Sequence, residues 1–161
     1  EDEWSRAVEG LRSIVPTLEA CGVTLANEPL NRFETYFLNT CADARRLCDE
    51  VGSPRHGVLF DTFHANIEEK TAGAAIDALG GRMAHVHACE NDRGAPGSGH
   101  VAWLEVFAAL NRANYDGWVV IESFGSRIPE IAAAACIWRD LAESPEALAR
   151  EGLAFLRRHL G

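Results

Sequence analysis

One pattern recurs four times along the chain: a helix-length segment, a short apolar run, then a polar loop. Residues 3–21 have helical spacing, with Trp4, Val8, Leu11, Ile14, Val15 and Leu18 on one side. Pro16 kinks this helix or ends its first part, and Gly22 suits its C-terminal stop. Residues 23–27 then read as a strand ending at Glu28. A helix near 40–51 stops at Gly52, and the strand 57–60 ends at Asp61. A helix at about 71–79 stops at Gly80-Gly81 and is followed by the strand 83–88. A helix near 102–113 turns through residues 114–117 into the strand 118–121, which ends at Glu122. Two C-terminal helices are predicted, near 128–142 and 145–160, the second with Ser144 as N-cap and Pro145 at its first position. Short apolar strands alternating with helices imply βαβ units and a parallel sheet. No linker or low-complexity stretch interrupts the pattern, so residues 1–161 read as a single α/β domain.

Composition narrows the partners. The formal charge is −9 and the pI about 5.1, which argues against a nucleic-acid backbone or an anionic membrane as partner. No apolar run approaches the ~18 residues that a transmembrane helix needs. The five cysteines, Cys21, Cys41, Cys48, Cys89 and Cys136, are odd in number and form no C-x-x-C pair. They read as small buried hydrophobes in a reducing cytoplasm rather than as a thiolate cage or a disulfide framework.

Each strand ends in a residue able to hold a divalent cation: Glu28, Asp61, His87 and Glu122, at intervals of 33, 26 and 35 residues. In a closed (β/α)₈ barrel such strand ends share one rim, where active sites sit. Three carboxylates and an imidazole gathered there repel one another unless a cation joins them. Oxygen-rich ligation favours Mn²⁺, Mg²⁺ or Co²⁺. Taken singly, Asp61 suits a turn cap, His87 a core histidine, and Glu28 and Glu122 ordinary rim carboxylates. Recurrence at four successive strand ends is what favours the shared site. His85 lies two residues before His87, hence on the same strand face and one layer deeper, and reads as structural.

Four blocks carry a resemblance. Glu28-Pro-Leu-Asn-Arg-Phe-Glu34, Asp61-Thr-Phe-His64, the run from His85 through His87 and Arg93 to His100, and Ile121-Glu122-Ser-Phe together resemble the ketose 3-epimerases, the D-tagatose/D-psicose 3-epimerase group of xylose-isomerase-like TIM barrels. The resemblance implies the C-terminal half-barrel of such an enzyme: four βα units plus a C-terminal helix. A full barrel needs about 250 residues, the chain has 161, residue 1 is Glu and the only methionine is Met83, so an N-terminal truncation is expected. It further implies Glu28, Asp61, His87 and Glu122 as metal ligands, Glu28 and Glu122 also as catalytic groups, and Glu34, His64 and Arg93 as holders of the sugar's oxygens. The implied cofactor is one divalent ion, Mn²⁺ before Mg²⁺ or Co²⁺. The implied partner is a small ketose, and the full-length form is expected to be a homo-oligomer.

The chemistry suits these residue types. Epimerising a ketose at C3 removes a proton alpha to the carbonyl and returns it from the other face through a cis-enediolate. Two carboxylates, one on each face of the sugar, serve as base and acid, and a cation stabilises the developing charge as a Lewis acid. Three other readings stand beside this one. The first is a related isomerase or an inosose-type dehydratase, with hydroxypyruvate among the substrates. The second is an inactive half-barrel that only binds metal or sugar. The third, apurinic-site endonuclease chemistry, fits poorly with the acidic charge and a single histidine ligand. The glycine-rich loop 94–99 lacks the strand and helix context of a dinucleotide site.

Overall fold

A computed structural model describes residues 2–160. Helix α1 (Asp2–Cys21) leads into β1 (Leu25–Asn27), α2 (Cys41–Val51) and β2 (His56–Asp61). Two helices, α3 (Thr62–Glu68) and α4 (Ala72–Leu79), and a 3₁₀ turn (Gly80–Arg82) precede β3 (Met83–Ala88). Then come α5 (Trp103–Arg112), β4 (Val119–Ile121), α6 (Pro129–Ala134) and α7 (Pro145–Leu160). The four strands form one parallel sheet in the order β1-β2-β3-β4, so each βα unit lays its strand beside the one before it. This is the half-barrel alternation expected from the sequence.

Local chemistry sets the boundaries. Thr40 caps α2 by accepting from the Asp43 N–H, and Gly52 ends that helix in the left-handed region at φ 84°. Thr71 caps α4 through the Ala74 N–H, and Ser144 Oγ accepts from the Ala147 N–H at the start of α7. Strand alternation then sorts the two faces of the sheet. Val58, Phe60, Val86 and Ala88 point into the helical layer and are buried there with Leu47, Ile76, Leu79, Val106 and Leu110. His85 and His87 share the opposite face, as the period of two requires, and are only half-buried. His56, at the N-terminal end of β2, is buried with neither ring nitrogen hydrogen-bonded. Burial and then Arg82 lower its pKa, so the ring is held neutral, the form that is cheaper to bury.

The structure departs from the sequence expectations in four places. The segment after Asp61 folds at once into α3 instead of a loop, because Asp61 itself accepts from the Phe63 and His64 N–H groups. Helix α6 stops at Ala134 rather than reaching residue 142, where Cys136 adopts a left-handed φ of 55°. Helix α1 runs through Pro16, which rules out a helix end there, one of the two expectations for that residue. The carbonyl that loses its N–H partner there belongs to Arg12, an exposed residue. Cys41, Cys48 and Cys89 are buried as expected, but Cys21 and Cys136 are exposed. Burial pushes the Cys48 thiol up to about 11 and the Cys89 thiol up to about 12, so both stay protonated. Among the described residues no helix is long and apolar enough to cross a membrane.

Candidate active site

The C-terminal ends of the strands converge. Asp61 closes β2 and pairs in register with His87 on β3, while Glu28 and Glu122 follow β1 and β4 directly. One ligand atom from each of Glu28, Asp61, His87 and Glu122 can be chosen so that all four lie within 4.8 Å of one another. Donors on opposite sides of one ion stand about 4–5 Å apart, twice a bond of roughly 2.0–2.6 Å. His87 Nδ1 lies 3.2 Å from Glu122 Oε1 and 3.8 Å from both Glu28 Oε1 and Asp61 Oδ2. Glu28 Oε1 and His87 Nδ1 are buried without a hydrogen-bond partner and face each other at 3.8 Å within the cluster. Buried polar atoms are rarely left so. The donor set therefore fits a divalent cation.

Asp61 caps a helix with one oxygen and faces the cluster with the other. Its Oδ1 caps α3, accepting from the Phe63 N–H at 2.6 Å and the His64 N–H at 3.3 Å. Its Oδ2 faces the cluster and accepts from Arg93 Nη1 at 3.0 Å. The same Arg93 nitrogen donates to Glu122 Oε2 at 2.8 Å. Phe63 and Phe124 flank the guanidinium, its central carbon lying 3.9 and 5.1 Å from the two ring centroids. Arg93 is thereby held at the rim although its residue sits in the left-handed region at φ 67°. Its Nη2 lies 3.1 Å from His64 Nε2. Glu34 stands apart from the cluster, exposed on the loop after β1, and reaches it only through Asn31 and His64.

The electrostatics follow from crowding. Burial pushes the Asp61 carboxyl up, to about 7, with Arg93 pulling the other way. Burial also raises Glu122, but the facing His87, Asp61 and Arg93 outweigh it and hold that carboxyl down at about 2. Glu122, then Glu28, raise His87 to about 10.

The profile of the xylose isomerase-like TIM barrel family matches residues 1–159. The chain belongs to that family. Among its relatives, a probable ketose 3-epimerase of Synechocystis sp. is 46% identical over 95% of this chain and 53% of its own length. A D-psicose 3-epimerase of Enterocloster bolteae is 41% identical over 100% of this chain and 55% of its own. A crystal structure of D-psicose 3-epimerase in the presence of D-fructose superposes with a TM-score of 0.93 at 39% identity, covering 98% of this chain and 56% of that one. The chain spans about half the length of the curated relatives it matches.

As a member of the xylose isomerase-like family, the chain also holds residues that the sequence did not single out. Glu90 is fully buried one residue after Cys89. Its carboxylate accepts from the Gly97 N–H at 2.9 Å, the Val101 N–H at 3.1 Å and Trp103 Nε1 at 2.6 Å. It thus ties down the glycine-rich loop that follows Arg93. Gly97 in that loop has φ +87° and lies against the Phe155 ring, leaving no room for a Cβ. Replacing Glu90 by Ala strands these donors and the Asn91 N–H, which also bonds the carboxylate, and is expected to destabilise the fold by about 3 kcal/mol, measured by urea unfolding. A change below ~1 kcal/mol would show that water replaces the carboxylate without loss.

Proposed function

We propose that the protein carrying this chain epimerises a ketose at C3. The convergence of Glu28, Asp61, His87 and Glu122 beside the Arg93 guanidinium is the observation that carries this reading. The names of its relatives point the same way. In this reading the chain supplies four of the eight βα units of one barrel domain. Glu28, Asp61, His87 and Glu122 hold one divalent ion, Mn²⁺ in preference to Mg²⁺ or Co²⁺. When bound, that ion supplies Lewis-acid stabilisation of charge developing on the substrate's oxygens.

The chain's own residues do the rest. Glu28 and Glu122 come from opposite edges of the sheet, β1 and β4, and so approach a bound sugar from two sides. One takes the C3 proton and the other returns a proton to the opposite face, through a cis-enediolate. Arg93 aims a planar fork of donors at the substrate's oxygens, and its flanking aromatic rings fix the direction of that fork. His64 donates to the same oxygens, and the Glu34 carboxylate accepts from a sugar hydroxyl. The free, buried cysteines suit a reducing cytoplasm, and the intact enzyme works as a homo-oligomer.

Incubation with Mn²⁺ and D-fructose or D-tagatose, followed by chromatography, tests the proposal. The C3 epimer should form, EDTA should abolish its formation, and added Mn²⁺ should restore it. The same experiment tests a second reading, a half-barrel that binds metal or sugar without turnover. Bound Mn²⁺ without epimer selects that reading.

A further inference from the structure

We propose that Asn31 is the positioning residue of the site, fixing the tautomer of His64 and the placement of Glu34 together. The proposal rests on the reading of His64 and Glu34 as groups that hold the sugar. Asn31 is buried, at 2% exposure, beside the exposed Arg32, Phe33 and Glu34, and every polar group it has is engaged. Its side-chain Nδ2 donates to Glu34 Oε1 at 2.8 Å and faces His64 Nδ1 at 3.0 Å. Its backbone N–H donates to the same His64 Nδ1 at 3.0 Å. Its Oδ1 accepts from the Phe33 N–H at 2.9 Å, and its carbonyl accepts from the Glu34 N–H at 3.0 Å.

These partners fix the amide's orientation. Turning it over would set Oδ1 against the Glu34 carboxylate and the NH₂ against the Phe33 N–H, replacing attraction by repulsion at both ends. With the amide so oriented, two N–H donors converge on His64 Nδ1. That nitrogen must therefore be the acceptor, and the ring proton must sit on Nε2. The consequence lies on the other side of the ring. His64 Nε2–H and the nearby Arg93 Nη2, 3.1 Å apart, are then both donors and cannot bond to each other. Two donors at that spacing suit one shared acceptor, a carbonyl or hydroxyl oxygen. Asn31 also holds the Glu34 carboxylate, an acceptor, in fixed relation to this donor pair. A polyhydroxy ketone presents the complementary set: an oxygen that accepts next to a hydroxyl that donates. Asn31 touches none of the sugar in this arrangement. It aligns the two groups that do.

Long-range proton–nitrogen correlation spectra of the histidine side chains test this on the chain itself. In the wild type the Nε2–H tautomer of His64 should exceed the Nδ1–H form by roughly tenfold or more, the bias that hydrogen bonds of ordinary net strength set. Asn31→Asp replaces the side-chain donor by a carboxylate that accepts from Nδ1–H, and should shift the ratio toward the Nδ1–H form by about tenfold. Asn31→Ala keeps the backbone donor and should retain the Nε2–H form while releasing Glu34. Asn39→Ala loosens the same loop by removing bonds to the Leu30 and Thr35 carbonyls, away from His64, and should leave the tautomer unchanged. A wild-type His64 protonated on Nδ1 overturns the proposal whether or not the variants fold. An equal shift in Asn39→Ala overturns it too, since the loop and not Asn31 would then set the tautomer. Where epimerisation is measurable, kcat/KM should fall by about 10- to 100-fold in Asn31→Asp. The expected tautomers in a protein that never turns over a ketose support the positioning role and reject the functional reading.

Discussion

Replacing Glu122 by Gln is expected to slow ketose epimerisation by at least ~100-fold while leaving the fold in place. The exchange is nearly isosteric. Arg93 loses a charged partner in Glu122 but keeps Asp61 at 3.0 Å, so the guanidinium stays compensated. The Glu122 backbone N–H still donates to the Ala88 carbonyl at 3.2 Å, so the rim beyond β4 keeps its anchor. What disappears is a carboxylate that exchanges a proton with C3 and also helps to hold the cation, and an amide is a poor substitute in either role. The loss should therefore fall on kcat when Mn²⁺ is saturating, with circular dichroism close to wild type and the urea midpoint lowered by the lost charge facing His87 and Arg93. Glu28→Gln should behave in the same way if the two glutamates work on opposite faces of the sugar. Full activity in Glu122→Gln would remove the acid–base assignment.

The rim residues were legible because two periodicities coincide on them. Apolar runs end at Glu28, Asp61, His87 and Glu122, and a parallel sheet brings successive strand ends together whatever the loops do. The shared face of His85 and His87 follows from strand geometry alone. Helix α3 was hidden, because Thr62 and Phe63 are strand-favouring residues and the cap that starts the helix is the residue that ends the strand. The short α6 was hidden for the opposite reason. The run after Pro129 is rich in alanine and continues helically by propensity, yet the backbone turns left-handed at Cys136. Asn31 and Glu90 were hidden by distance. Asn31 meets His64 across 33 positions, and Glu90 gathers donors up to 13 positions further on. A single sequence shows that such residues can bond but not to which partners. The sequence showed residues whose position follows from a strand, and missed those whose role follows from a fold-back.

Asp61 is where the two kinds of residue meet, and its replacement should register in two separate measurements. Asp61→Ala removes the cap of α3, worth about 1 kcal/mol. It also takes a fully enclosed carboxylate from a buried guanidinium, leaving Arg93 with Glu122 alone. Breaking such a pair costs about 3–5 kcal/mol, and the surviving Glu122 contact argues for the lower end. The sum is about 4 kcal/mol, a large part of a typical domain's stability, and urea unfolding should read it directly. Asp61→Asn keeps an oxygen for the Phe63 and His64 N–H groups and should recover about 1 kcal/mol of that loss. Mn²⁺ affinity, measured by calorimetric titration, should not recover with it. A neutral amide is a poor substitute for a carboxylate ligand, and both variants should bind Mn²⁺ more than ~100-fold more weakly, beyond the loss usual for an outer partner. Wild-type Mn²⁺ binding in Asp61→Asn would confine Asp61 to its cap and its ion pair. Wild-type stability in Asp61→Ala would mean that neither of those holds the rim together.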